Sequence, residues 1–158
     1  MENLEFFKRI LHEHCFFKSF PEEHLLTLAG CASNVRFRKG EQIFHQGEAA
    51  DNFYIVRSGK VAINFATVDR GDITVETLSD NEVIGWSWLF PPYTWHYDAH
   101  AIEETRAIAL DGKCLRTKCE ADPAMGYELM KQFSGMVVER LKATQLQLLD
   151  MYGRKPEE

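Results

Sequence analysis

Between Val83 and Ala101 the chain reads VIGWSWLFPPYTWHYDAHA, the stretch richest in side chains that could grip a ligand. It holds Trp86, Trp88 and Trp95, all the tryptophan in the protein, together with Phe90, Tyr93 and Tyr97. Aromatic faces stack on planar apolar molecules, and indole N–H groups are donors that need a partner when buried. One reading is therefore a site for an apolar or aromatic ligand held among these rings. The other is that the rings pack as ordinary core. Pro91-Pro92 holds the loop in extended backbone and limits its adaptability.

His96, Asp98 and His100 alternate along one expected strand and so share a face. Two histidines and a carboxylate form a ligand set of non-haem iron sites, which would make the chain a metal-binding enzyme of the cupin type. The intervening Tyr97, Ala99 and Ala101 are the apolar residues that should face inward, which turns the histidines to solvent. A cupin also needs a glutamate shortly after its histidine pair and a distant histidine on another strand, and Glu103 and Glu104 imitate this only in part. His12 and Cys15 stand three apart on an expected helix and could face a zinc ion, but no complementary pair stands elsewhere. No Ser/His/Asp arrangement, Walker loop or dinucleotide fingerprint appears, so the expectation is a non-enzymatic protein with no catalytic residue and no metal.

The chain of 158 residues is long enough for one domain with a full core and peripheral helices. Its net charge of −6 argues against a nucleic-acid surface, because phosphate backbones reward clustered Lys and Arg. The basic residues are scattered, and the one dense run, RFRKG at 36–40, leads into a turn. No apolar run is long enough to span a bilayer, and the charged start MENLEFFKRILHEH does not read as a signal peptide, which predicts a cytoplasmic protein. The four cysteines, Cys15, Cys31, Cys114 and Cys119, form no CxxC pair and are expected to be reduced thiols.

These residues need elements to position them. Leu4, Phe7, Ile10 and Leu11 form a helical stripe, and Ser19 precedes a second helix in PEEHLLTLAG with Pro21 in its first turn and Gly30 past its end. From Ser33 to Leu110 short strands follow, with Asp69-Arg70-Gly71-Asp72 as a hairpin turn. Asp111 can cap a helix around Lys113–Cys119, and Asp122-Pro123 opens a longer one to Tyr152. On that helix Met130, Phe133, Val137, Leu141, Thr144, Leu148 and Met151 recur at three- and four-residue steps, a coiled-coil-like seam. Its first half should pack on the chain's own sheets. Its second half extends too far for that, which predicts a homodimer.

The stretch FRKGEQIFHQGEAADNFYIVRSGKVAI, from Phe37 to Ile63, sets Gly40, Gly47 and Gly59 between short runs of β-branched and aromatic residues, the pattern of tightly turned antiparallel strands. It resembles the front half of the cyclic nucleotide-binding β-roll of catabolite-activator-type transcription factors, kinase regulatory subunits and gated channels. The resemblance implies an α+β fold: an antiparallel β-roll (a double-stranded β-helix or jelly roll) of roughly eight strands with an embedded short helix, flanked by N-terminal helices and a long C-terminal helix. It implies a helical segment over 1–32, the roll over 33–111, and C-terminal helices over 112–158 with a dimerisation helix at 122–152.

It also implies a ligand cassette that reads F-G-E-L-A-L and then P-R-A-A, where the Glu accepts from a ribose hydroxyl and the Arg neutralises a cyclic phosphate. Aligning Val83-Ile84-Gly85 and Ala101 with this pattern puts Trp86 at the Glu position and Trp95 at the Arg position. Both polar anchors are absent, which should remove ~3–6 kcal/mol of affinity. Backbone amides near Ser87 and Trp88, and Arg106, are what remains to face an anion. The ligand-binding residues implied are thus Gly85, Trp86, Ser87, Trp88, Trp95, His96 and Tyr97. The function implied is a cytoplasmic sensor or regulatory domain with a degenerate site, not expected to bind cyclic AMP or cyclic GMP in the usual mode. A ligand-free dimerisation or adaptor module with a plugged pocket is the alternative. The expected partners are a second copy and an unidentified protein, with no membrane and no direct nucleic acid, since the chain reaches GRKPEE without a helix-turn-helix.

Overall fold

Phe7 and Leu11 lie buried on one side of α1 (Glu2–Glu13), which pins that helix to the rest of the chain. The computed structural model describes residues 2–153; Met1 and residues 154–158, parts of the expected terminal segments, lie outside the described residues. After α1 a 3-10 turn at Cys15–Phe17 buries Phe17 and sets His14 as its cap: the Nδ1 accepts from the Phe16 N–H at 3.1 Å, and the Nε2 sits 2.6 Å from the Asn81 carbonyl. That pairing requires a neutral ring with its proton on Nε2, and burial accordingly pushes the His14 pKa below its ordinary value.

The second helix, α2 (Glu22–Ala29), is capped by Pro21 rather than by Ser19. Buried Phe17 and Phe20 hold the turn before it, so Pro21, with its fixed φ of −61°, takes the N-cap place, and the Ser19 hydroxyl accepts instead from Gln132 at 3.2 Å.

Eight strands follow: β1 (Ala32–Phe37), β2 (Gln42–Phe44), β3 (Asn52–Ser58), β4 (Val61–Thr67), β5 (Gly71–Leu78), β6 (Val83–Ile84), β7 (Asp98–Ala101) and β8 (Thr105–Asp111). They form two four-stranded antiparallel sheets, β1-β8-β3-β6 and β2-β7-β4-β5, the expected roll. Gly40, Gly47 and Gly59 all take positive φ, as their turns demand. Gly59 is the most constrained of them, since a Cβ there would stand 2.7 Å from the Glu104 carbonyl oxygen.

The expected embedded helix is a single turn, closed by Leu89 N–H on the Trp86 carbonyl at 3.1 Å. Pro91 disfavours helical backbone at Phe90 and Pro92 does so at Pro91, so the turn cannot propagate.

Asp111 caps α3 (Gly112–Ala121) by accepting from Cys114 N–H at 3.0 Å, and Asp122 accepts from Met125 N–H at 3.3 Å to open α4 (Pro123–Gly153). The expectation of four reduced thiols is corrected: Cys31, just before β1, and Cys114, in the first turn of α3, are joined as a disulfide, which leaves Cys15 and Cys119 free. Spacing along the chain could not show this, because folding brings together residues 83 positions apart.

The face of α4 that packs on the roll carries Met125, Leu129 and Phe133, fully buried, followed by the half-buried Met136 and Arg140. Phe133 meets Trp88 and Phe53 edge-on with centroids 5.3 and 5.1 Å apart, while Trp88 stacks on Phe53 at 5.1 Å. Of the anticipated seam only Phe133 belongs fully to this face. Met130 and every described residue from Leu141 to Gly153 are exposed, with Leu141 at 56% and Leu148 at 49%. Among the described residues no helix is long and apolar enough to cross a membrane.

Candidate functional site

Gly85 ends β6 with a φ of +94° and turns the chain under the ring of Trp95. A Cβ at Gly85 would lie 2.5 Å from Trp95 Cη2, so this residue must be glycine for the ring to sit where it does. The indole is 4% exposed and stacks face to face on Phe44 of β2, with centroids 3.7 Å apart and planes 5° from parallel. Tyr97 packs on the other flank, 5.7 Å from Phe44, 5.6 Å from Trp86 and 6.0 Å from Phe65. The rings of 44, 86, 95 and 97 thus occupy the space between cassette and sheet with their own apolar surface.

One cation reaches this cluster, and it comes from an element the sequence reading did not implicate. Arg140 of α4 is only 16% exposed at its side chain. Its Nη2 donates to the Val83 carbonyl at 2.7 Å, its Nε lies 3.6 Å from Glu76 Oε1, and its guanidinium sits 4.9 Å over the Trp86 ring. The Tyr97 hydroxyl faces it without closing a hydrogen bond of good geometry, and burial pushes that phenol up to about 12. Arg140 Nη1, Tyr97 Oη and Ser87 Oγ are all buried without a hydrogen-bond partner, as is Trp88 Nε1 in the neighbouring core.

Arg106, named above as a group that could face an anion, is instead 67% exposed on the outer side of β8 beside Glu104. Alternation could not have shown this, because Arg106 shares its strand face with Ile108 and Leu110, which are both fully buried. Arg140 gave no signal either: a lone arginine on a helix stripe reads as solvated.

The residues singled out in the sequence divide into three groups. Gly85, Trp95 and Tyr97 meet inside the roll. Trp86, Ser87 and His96 line a mostly apolar groove of about 430 Å³ between the cassette and α4, together with Phe90, Ser134, Val137 and Val138. Trp88 turns away from both and belongs to the Phe53–Phe133 core.

The histidine triad does not converge. Asp98 accepts from Gln46 N–H at 2.7 Å, His100 Nδ1 pairs with Asn64 Nδ2 at 2.7 Å, and His96 lies on the groove. Among the described residues no three His, Cys, Asp or Glu side chains gather as a metal cluster would require.

Two antiparallel four-stranded sheets around a glycine-led loop, with a long helix closing the open side, define an α+β β-roll of the sensor type. The chain belongs to the cyclic nucleotide-binding domain family, whose model matches residues 34–122. It is 28% identical over 142 residues to a "CRP-like cAMP-activated global transcriptional regulator" of Mycobacterium tuberculosis, covering 90% of this chain and 62% of that protein. The chain therefore spans less than two thirds of the length of that curated relative. Among solved structures, a protein of Geobacter metallireducens GS-15 described as cyclic nucleotide-binding superposes with a TM-score of 0.77 at 28% identity, over 85% of this chain and 97% of the other. A cyclic nucleotide-binding-like protein of Brucella abortus gives 0.60 at 29% identity, over 72% and 97%.

Proposed function

We propose that this chain is a non-enzymatic sensor domain in which the family's nucleotide pocket is filled by the protein's own rings. The observation that carries this reading is Trp95, which stands where the resemblance places the phosphate-binding arginine and lies stacked on Phe44 over Gly85. A cyclic phosphate entering there would meet an indole instead of a counter-charge, and desolvating that anion unpaired is strongly unfavourable. The ligand-facing surface is then the groove beside α4, where Trp86, Ser87 and His96 suit a flat, mostly apolar molecule. Because α4 forms the other wall, occupancy biases the position of the helix whose far half is free to engage a partner.

A thermal-shift screen with cyclic mononucleotides, haem and aromatic metabolites tests the reading. The expected result is that one or more aromatic compounds raise the midpoint and that the shift disappears in Val138→Trp, which narrows the groove from the exposed side of α4. If no compound moves it, the second reading, an adaptor without ligand, is favoured. That reading draws on the exposed apolar stripe from Leu141 to Met151, which a second copy would cover. Leu141→Asp with Leu148→Asp is expected to give a monomer by light scattering where the parent is a dimer; a persisting dimer would place the interface elsewhere.

A further inference from the structure

The basic residues that look scattered along the chain are gathered by the fold. Arg36 of β1 stands directly opposite Arg106 of β8, a like-charge cross-strand pair that works against sheet stability. Both are exposed, at 62% and 67% of the side chain, and they share one carboxylate: Glu104 lies 2.7 Å from Arg36 Nη2 and 4.0 Å from Arg106 Nε. Arg57 of β3 lines the same depression of about 360 Å³. Arg38 and Lys39 line the next one, about 740 Å³, which shares Arg36 with it. In a chain of net charge −6 this is a cationic face against the global sign.

The same residues flank an open sheet edge. β1 is the terminal strand of its sheet, paired only with β8, so one side of its backbone has no ladder partner. A third depression, about 420 Å³, runs on from Asn34 along Ser33 and Ala32 toward Leu4 and Phe7 of α1. The edge thus lies beside a row of depressions, cationic around Arg36 and lined by Asn34, Ser33, Asn3 and Leu4 toward α1. Natural sheets guard free edges with cover, bulges or charge, and a charged edge admits an added strand of the opposite charge.

We propose that the β1 edge docks an extended acidic segment of a partner protein as an added antiparallel or parallel strand. Main-chain hydrogen bonds to β1 hold it, and a carboxylate on the face that carries Arg36 meets that guanidinium, with Arg106 and Arg57 reinforcing the charge from the next two strands. A polypeptide fits better than a nucleic acid. A nucleic acid cannot continue a β-ladder, so it would leave the open backbone groups of β1 without partners.

The probe is a synthetic peptide of roughly eight residues, the length of an ordinary strand, alternating Glu with Val. It is compared by fluorescence anisotropy at low salt with the Lys/Val analogue and with a single-stranded oligothymidylate of equal charge. The acidic peptide is expected to bind at least about tenfold more tightly than either comparator. It should slow amide exchange within Ala32–Phe37 and weaken as salt rises. Arg36→Glu with Arg106→Glu should reverse the preference between the two peptides, and the milder Arg36→Gln with Arg106→Gln should reduce it. Equal binding of the Lys/Val peptide, tighter binding of the oligonucleotide, or protection appearing anywhere but β1 would overturn the proposal.

Discussion

Trp95→Ala should destabilise the protein by about 3–5 kcal/mol, the range for deleting a large buried aromatic. The ring is almost fully enclosed, stacks in parallel on Phe44 and covers the only position in β6–β7 where the backbone lacks a side chain. Removing it strips away apolar burial and leaves a cavity that Phe44, Gly85 and Tyr97 can close only in part. At roughly 2–4 °C per kcal/mol for a chain of this size, the melting midpoint should fall by roughly 10 °C. The cavity supplies a second readout: indole added to the variant should restore part of the loss, because dry apolar cavities accept matching apolar molecules, while the parent should not respond at the same concentration. A variant that melts within a degree or so of the parent would mean that the ring is a mobile lid and not a filler.

Reducing the Cys31–Cys114 bond should have an effect of comparable size. The bond closes a loop of 83 residues that contains the entire roll, and the chain-entropy account gives about 4–5 kcal/mol for a loop of that length. It ties the entrance of β1 to the first turn of α3, so the reduced protein should lose stability without losing its fold. Denaturant midpoints with and without a reductant measure this, and Cys31→Ala with Cys114→Ala should match the reduced parent and ignore the reductant. Thiol titration of the unreduced, unfolded protein should find two thiols, Cys15 and Cys119. Four thiols, or a midpoint indifferent to reductant, would contradict the pairing.

Much of the fold was legible because local rules governed it. The glycines at 40, 47 and 59 needed positive φ, and short apolar runs between turn signals gave β3, β4 and β8. Asp111 and Asp122 announced their helices as caps. What failed did so where tertiary packing overrode a local signal. The embedded helix was curtailed by the two prolines that follow it. In the first half of the α4 seam, Met130 was read one residue off the packing face, which runs through Leu129 and Phe133.

The site was legible in its contents and not in its arrangement. Register against the family pattern assigns Trp86 and Trp95 to the places of a carboxylate and an arginine, and that assignment needs only the sequence. That Trp95 stacks on Phe44, that Trp88 belongs to a different core, and that Arg140 enters from α4 depended on contacts between residues far apart in sequence. The cationic face at Arg36, Arg57 and Arg106 was hidden for the same reason, because its members come from three strands.

The central claim is that the roll is filled by its own side chains and has lost the nucleotide's anchors. Isothermal titration of the intact protein with cyclic AMP tests it most directly. A loss of ~3–6 kcal/mol from an ordinary micromolar site leaves a dissociation constant of roughly millimolar or weaker, so no saturable heat should appear below that concentration. A stoichiometric isotherm with a micromolar Kd would show that the rings move aside for the nucleotide and would contradict the account.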